Sequence, residues 1–202
     1  MAPIPAPPRA VVFDLDGTLL DSYAAIHECL SLVLAAFARP PVTPDETRRM
    51  VGHGLEVLVA RAVGSENVEA GVKIFRSRYE QVGPENSTLL PGADAVTRRL
   101  VEAGIPIAIA SNKPARFSRE ILEQLGISNF FRHVFVSSEL GADKPDPEIF
   151  RRALGVVDLP SDQVVHVGDD PESDWKAASA VGLSIFQLDR AKNSLRDLLA
   201  SL

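Results

Sequence analysis

Five aspartates of this 202-residue chain fall in two short clusters, Asp14 and Asp16 in VFDLDGT and Asp169, Asp170 and Asp174 in VGDDPESD. Carboxylates brought to one place repel one another and take up protons unless a cation sits among them. Hard oxygen ligands of this kind suit Mg²⁺, which binds through a few carboxylates and keeps positions for water or a phosphate oxygen. Two further polar clusters interrupt apolar runs: Ser111-Asn112-Lys113, and Lys144 just before Pro145. A hydroxyl, a backbone N–H and an ammonium can hold phosphate oxygens and offset charge that develops on them. Thr18, after Gly17, is placed to hold the first loop or a phosphate. Each signal alone is weak. Four in succession with complementary chemistry form a constellation.

These residues act together only if the fold brings them together. Ala10 to Phe13 is a short β-branched and aromatic run that ends at Asp14, the pattern of a buried parallel strand. Similar strands are predicted over 105–110, 134–137, 164–167 and 183–187. Helices are predicted between them over 93–103, 115–125, 146–154 and 174–181, with a last one over 194–199. Strands alternating with helices indicate an α/β fold with a doubly wound (Rossmann-like) parallel sheet. Ligand sites in such sheets lie at the carboxyl ends of the strands, where all four polar clusters stand. The alternation is interrupted after the first strand. Residues 22–38 put Ile26, Leu30, Val33, Leu34 and Phe37 on one helical face. Thr43-Pro44-Asp45-Glu46 reads as a capped helix start, Gly52-His53-Gly54 as a break, and 55–63 and 66–82 as further helices. The division expected is an α/β core over 1–21 and 88–202, with an inserted all-helical cap over 22–87.

Composition narrows the function. Of the residues 46% are hydrophobic and 24% charged, and the net charge is −6. This is ordinary globular composition, without the basic stripe of a nucleic-acid binder. No apolar run approaches the roughly 20 residues of a membrane span, and the Pro-rich start MAPIPAPPRA has no signal-peptide core. A cytoplasmic protein with no membrane or nucleic-acid partner is expected, as monomer or homodimer. The one cysteine, Cys29, lies in an apolar run and is read as a buried thiol.

VFDLDGTLLDS, IASNKP, GADKPDPEIF and VGDDPESD resemble, in order, the four motifs of the haloacid dehalogenase superfamily. VGHGLEVLVARAVG and SNKPARF, with a helical insertion after the first motif, resemble its phosphoglycolate phosphatase-like branch. The resemblance covers essentially the whole chain. It implies a Mg²⁺-dependent phosphatase acting on a small-molecule phosphate ester. Asp14 would be the nucleophile that forms an aspartyl-phosphate. Asp16 would protonate the leaving oxygen and then activate water. Ser111 would hydrogen-bond the phosphoryl group, and Lys144 would stabilise it together with Asp14. Asp169 would bind Mg²⁺ with Asp14 and the backbone carbonyl of Asp16, supported by Asp174 or Asp170. The fourth motif leaves open which of those two stands nearer.

Blander readings stand beside these. Ser111 can be a helix cap, Asn112 a turn residue, and His53 either a substrate contact or a solvated loop histidine. Arg48, Arg49 and Arg61 read as exposed helix charges, His133 and His166 as structural. Within the superfamily, an inorganic pyrophosphatase would share this core. A sugar phosphomutase would too, but its cap-hinge histidine aligns with Ile26, one residue from His27. A dehalogenase lacks an acid like Asp16, and the only lysine of the helical insertion, Lys73, is no obvious Schiff-base former. A non-enzymatic binder on this fold would not need every one of these positions filled.

Overall fold

A computed structural model describes residues 8–189 and 191–201. The Pro-rich start over 1–7, and with it the first part of the expected core segment, lies outside the described residues. Strand β1 (Ala10–Phe13) is followed by a tight loop and a two-residue strand β2 (Leu20–Asp21). Four helices come next: α1 (Tyr23–Ala36), α2 (Pro44–Met50), α3 (Leu55–Val63) and α4 (Val68–Val82). Strand β3 (Thr88–Leu89) then pairs antiparallel with β2, so one short ribbon carries the chain both into and out of the helical block. The rest runs α5 (Ala93–Glu102), β4 (Ile107–Ser111), α6 (Ala115–Gln124), β5 (Phe131–Val136), α7 (Ser137–Leu140) and α8 (Glu148–Val157). It closes with β6 (Val164–Gly168), α9 (Lys176–Ala180), β7 (Ser184–Gln187) and α10 (Leu195–Ser201).

The five long strands form one parallel sheet in the order β5-β4-β1-β6-β7. The chain builds outward from β1 through β4 and β5, then crosses to the other side for β6 and β7. The strand order therefore reverses at β1, and a crevice opens beyond its carboxyl end. The doubly wound α/β architecture expected from the alternating pattern is present.

Alternation along β1 sends its side chains to two cores. Val11 and Phe13 join Ile107, Ile109, Val165 and Val167 on one face, in a cluster that continues through Leu15, Leu19 and Leu20 into α1, α3 and α4. Ala10 and Val12 join Ala108, Ala110 and Val164 on the other, under Ile149, Phe150 and Ala153 of α8 and Ala177 and Ala178 of α9. In the helical block α1 packs against α2, α3 and α4. Thr43 and Glu46 form the expected capping box, with the Glu46 N–H donating to Thr43 Oγ1 at 3.2 Å and the Thr43 N–H to Glu46 Oε2 at 2.7 Å. Cys29 is buried in α1, and burial pushes its thiol up to about 12. No helix among the described residues is long and apolar enough to cross a membrane.

Boundaries shift where turn chemistry overrides the apolar pattern. The strand predicted over 134–137 runs Phe131–Val136, because Arg132 and His133 are tolerated on an edge strand and Ser137 opens α7. The helix predicted from 146 starts at Glu148, since the Asp146 carboxylate accepts the Glu148 N–H at 2.9 Å in a turn that precedes it. The two-residue strands β2 and β3 have no periodicity to betray them.

Phe13 is fully buried at the centre of the sheet. Phe13→Ala should lower unfolding stability by about 3–5 kcal/mol, read from the midpoint of a urea titration. A change under about 1 kcal/mol would mean the site refills on relaxation.

Candidate active site

The crevice beyond β1 collects the predicted clusters. The loop after β1 folds back on itself because the Leu15 carbonyl accepts the N–H groups of Thr18, Leu19 and Leu20 at 3.2, 3.0 and 2.8 Å. The buried side chains of Leu15, Leu19 and Leu20 anchor it in the core. Asp14, 8% exposed, extends the strand pairing by donating its N–H to the Val167 carbonyl. Gly17 has φ +94°, and a side chain there would collide with the Asp169 carboxylate. This glycine thus lets the loop after β1 and the end of β6 approach each other. Thr18 Oγ1 donates to Asp169 Oδ1 at 3.2 Å, so Thr18 orients an acid.

Lys144 lies at the centre. Its ammonium, buried, donates to Asp14 Oδ1 at 2.7 Å and to Asp174 Oδ1 at 2.6 Å. Asn112 fixes the lysine backbone from the end of β4: its Oδ1 accepts the Lys144 N–H and its Nδ2 donates to the Lys144 carbonyl, both at 2.8 Å. The Lys144-Pro145 peptide is cis. Behind Asp174, His166 of β6 places Nδ1 2.9 Å from the Val12 carbonyl and Nε2 3.1 Å from Asp174 Oδ1.

A π-helical turn over Pro171–Trp175 delivers Asp174. The Asp174 and Trp175 N–H groups both donate to the Asp170 carbonyl, at 2.9 and 3.3 Å. The wide turn brings an acid five residues beyond Asp169 back over the strand end, a device common at functional sites. Gly168 permits it, since a Cβ there would lie 2.5 Å from Asp174 Cγ. Asp170 does something else. Its Oδ1 accepts the Glu172 and Ser173 N–H groups at 2.9 and 2.6 Å and caps the turn.

Asp14, Asp169 and Asp174 each offer an oxygen, and these oxygens lie within 4.8 Å of one another. Asp170 is outside that group, because its carboxylate is turned to the backbone N–H groups. The Asp16 carboxylate is outside it as well, taken up by neighbours described below. Burial pushes Asp14 up to about 8; the Lys144 charge opposes this, and Asp174 and Asp169 add to it. Burial works the same way on Asp174, but Lys144 and His166 outweigh it and hold that carboxyl well below the usual range. Burial would lower Lys144, yet Asp14 and Asp174 raise it above its ordinary value. Burial keeps His166 below the ordinary histidine range. Three acids facing one lysine leave surplus negative charge and an all-oxygen donor set, which fits a hard divalent cation.

Ser111, 2% exposed, ends β4, and its Oγ accepts the Lys113 N–H at 3.2 Å. The next groups carried no role in the sequence reading. The Lys113 ammonium donates to both Asp16 oxygens, at 2.9 and 3.0 Å, and to Tyr79 Oη of α4 at 2.8 Å. Ser22, at the head of α1, donates to Asp16 Oδ1 at 2.5 Å instead of capping its helix. Lys113 adjoins Ser111 and was visible as a strand-end cation. Tyr79 shares a helical face with Val72, Phe75 and Val82 and reads as core, and His166 reads as a strand residue. Nothing in sequence marks their second roles.

The helical block closes on this crevice through its glycine loop. The Gly52 carbonyl accepts from Asn112 Nδ2 at 3.0 Å. His53 between the glycines is half-buried, and its Nδ1 has no hydrogen-bond partner among the described residues. It lines neither cavity beside the acids. One cavity, about 70 Å³, is bounded by Asp14, Asp16, Ser111 and Lys113 below and by Ile26, Leu55, Leu58, Phe75 and Tyr79 above. The other, about 300 Å³, lies towards Asp169, Asp170 and Asp189 and has Arg48 on its rim, stacked over Tyr23. His27 is turned away, its Nδ1 2.8 Å from Thr47 Oγ1.

The sequence pattern described as haloacid dehalogenase-like hydrolase matches residues 11–187. A phosphoglycolate phosphatase of Pseudomonas savastanoi is 32% identical over 200 residues, 95% of this chain and 73% of that protein. One from Vibrio cholerae is 33% identical over 195 residues, 92% and 86% of the two chains. Among solved structures, a protein of Haemophilus somnus described as a predicted phosphoglycolate phosphatase superposes with a TM-score of 0.82 at 25% identity, covering 95% of this chain and 96% of its own.

The acid cluster predicts a cation-dependent gain in stability. At about 100 times its Kd a ligand adds about 2.7 kcal/mol, or about 5–11 °C in Tm for a chain of this size. Mg²⁺ should raise the Tm of the native protein and of Asp170→Asn alike, and should leave Asp169→Asn nearly unmoved. Equal shifts in all three would place the ion elsewhere.

Proposed function

The chain belongs to the haloacid dehalogenase-like hydrolase family, and on that premise we propose that it is a Mg²⁺-dependent phosphatase of small phosphate monoesters, phosphoglycolate first among them, working through an aspartyl-phosphate on Asp14. The observation that carries this reading is the buried Lys144 ammonium bound to both Asp14 and Asp174, beside a third acid, at the end of the central strand. That arrangement keeps one Asp14 oxygen engaged and presents the carboxylate to the crevice. Relatives named phosphoglycolate phosphatase supply the substrate candidate.

In the first step an Asp14 oxygen attacks phosphorus and the bond from phosphorus to the ester oxygen breaks. The departing oxygen takes a proton from Asp16, which lines the same cavity. In the second step water attacks the phosphorus of the aspartyl-phosphate, gives its proton to Asp16, and inorganic phosphate leaves with Asp14 regenerated. Asp16 is held for both steps by Ser22 and Lys113. Ser111 and Lys144 would hold the phosphoryl oxygens. Asp14, Asp169 and Asp174 would hold Mg²⁺, which offsets the charge of the phosphate against that of the nucleophile. Helices α1 to α4 act as a cap that closes the cavity against bulk water.

The surroundings of Ile26 argue against a sugar phosphomutase. Ile26, the position that aligns with a phosphomutase's hinge histidine, is buried and apolar, and His27 is engaged with Thr47.

Phosphate release from phosphoglycolate, a sugar phosphate, a nucleotide and pyrophosphate tests the proposal. Activity should require Mg²⁺, vanish in EDTA, favour phosphoglycolate and fall at least about 10³-fold in Asp14→Asn, a loss of roughly 4 kcal/mol of transition-state stabilisation. Undiminished turnover in that variant would refute the nucleophile, and a preference for pyrophosphate would refute the substrate class.

A further inference from the structure

The small cavity beside Asp16 is apolar on most of its wall, with Ile26, Leu55, Leu58, Phe75 and Phe117 facing inward, yet an ammonium stands in it. Lys113 is the one cationic residue on that wall, and it is 7% exposed. It is built in from both sides. Helix α4 supplies Tyr79, whose hydroxyl takes one ammonium proton at 2.8 Å and whose ring lies 4.8 Å from the nitrogen. That ring is fixed between Phe75, at 5.5 Å between centroids, and Phe117 of the core, at 4.7 Å. Holding an ion here costs several kcal/mol of lost hydration. Asp16 offsets it, but Asp16 could be positioned without it, since Ser22 already holds the same carboxylate.

Resting on the phosphatase reading above, we propose that Lys113 and Tyr79 are the specificity pair for the leaving group, and that they select phosphate esters carrying a carboxylate close to the ester oxygen. Asp14 and Asp16 line both cavities, and Lys113 binds Asp16 on the narrower side, so a group leaving on that side passes beside the ammonium. This cavity is the narrower of the two beside the acids, about 70 Å³ against about 300 Å³, so it suits a carboxylate close to the ester oxygen better than a long leaving group. The carboxylate would accept from Lys113 and from the Tyr79 hydroxyl, and the short leaving chain would lie against the apolar wall. The wider cavity on the other side is a poorer anion site, because Arg48 there faces Asp169, Asp170 and Asp189.

Steady-state kinetics on phosphoglycolate and ethyl phosphate, which differ in the carboxylate, test this. The native enzyme should favour phosphoglycolate in kcat/KM by at least 100-fold. Lys113→Met should cut that preference by about 10- to 100-fold, the range of a buried hydrogen bond to a charged group, mostly through KM for phosphoglycolate. Tyr79→Phe, which keeps the ring packing, should cut it by about tenfold, and Arg48→Met should leave it within threefold. A parallel reading uses Asp14→Asn, where calorimetry should show phosphoglycolate binding weakened at least tenfold by adding Lys113→Met. Equal losses for both esters in Lys113→Met would show that Lys113 only positions Asp16, and a preference lost in Arg48→Met would place the carboxylate in the other cavity. Either result overturns the proposal while leaving the phosphatase reading intact. No phosphate release by the native protein would instead sink that reading, with the calorimetry still deciding whether the anion site exists.

Discussion

One buried ammonium organises this structure. Lys144 sits between Asp14 at the end of β1 and Asp174 beyond the end of β6, and both partners are themselves shielded from water. Three ionisable groups withdrawn from solvent are tolerated only with close geometry and with their remaining hydrogen-bonding capacity satisfied. The surroundings meet that demand. Asn112 fixes the lysine backbone through both its N–H and its carbonyl, and His166 reaches Asp174 from within the sheet. Removing the lysine charge would leave two buried carboxyl groups without their shared partner, a loss of about 3–5 kcal/mol in comparable cases. The arrangement therefore resists drift as a unit, and it fixes Asp14 before any ligand arrives.

The sheet is shaped by the same constraint. The strand ends can meet only because backbone approaches backbone without side chains between them, at Gly17 against Asp169 and at Gly168 against Asp174. Small residues on one face of the central strands, Ala10, Ala108 and Ala110, seat α8 and α9 close to the sheet. The π turn between β6 and α9 then absorbs the extra residue separating Asp169 from Asp174. Spread over a regular helix, that spacing would rotate the second acid away from the lysine.

How much of this was legible follows from the range of each interaction. Strand β1 and helix α3 were readable to the residue, because burial on both faces or on one stripe leaves a local periodicity. The acids, Ser111 and Lys144 were readable because polar residues ending apolar runs stand out against the strands that carry them. The choice between Asp170 and Asp174 was not. It depends on whether a carboxylate caps its own turn or looks back across the strand end, a matter of φ and ψ that residue type does not settle. Tyr79 was illegible for a related reason: a tyrosine buries its ring like any core aromatic, and only the tertiary contact shows where its hydroxyl goes. Lys113 stands out in the sequence as a strand-end cation able to meet a phosphate, but its partners lie 97 and 34 residues away and leave no local sign.

Those distant partners bear on how chemistry and cap are coupled. The apolar cluster under β1 runs without a break into α1, α3 and α4, so burial alone would draw the helices onto the sheet. Burial is non-directional and sets no particular alignment. Alignment beside the acids comes from two polar contacts, Asn112 to the Gly52 carbonyl and Lys113 to the Tyr79 hydroxyl, with an outer ion pair from Arg116 of α6 to Glu80 of α4. Each core partner also holds a charged group of the site, Asn112 by clamping Lys144 and Lys113 by binding Asp16. A cap lifted away breaks both contacts and exposes both lysine-bearing loops to water, where a charge interaction is far weaker. The two residues that join the helical block to the charged groups of the site are thus neighbours at the end of β4.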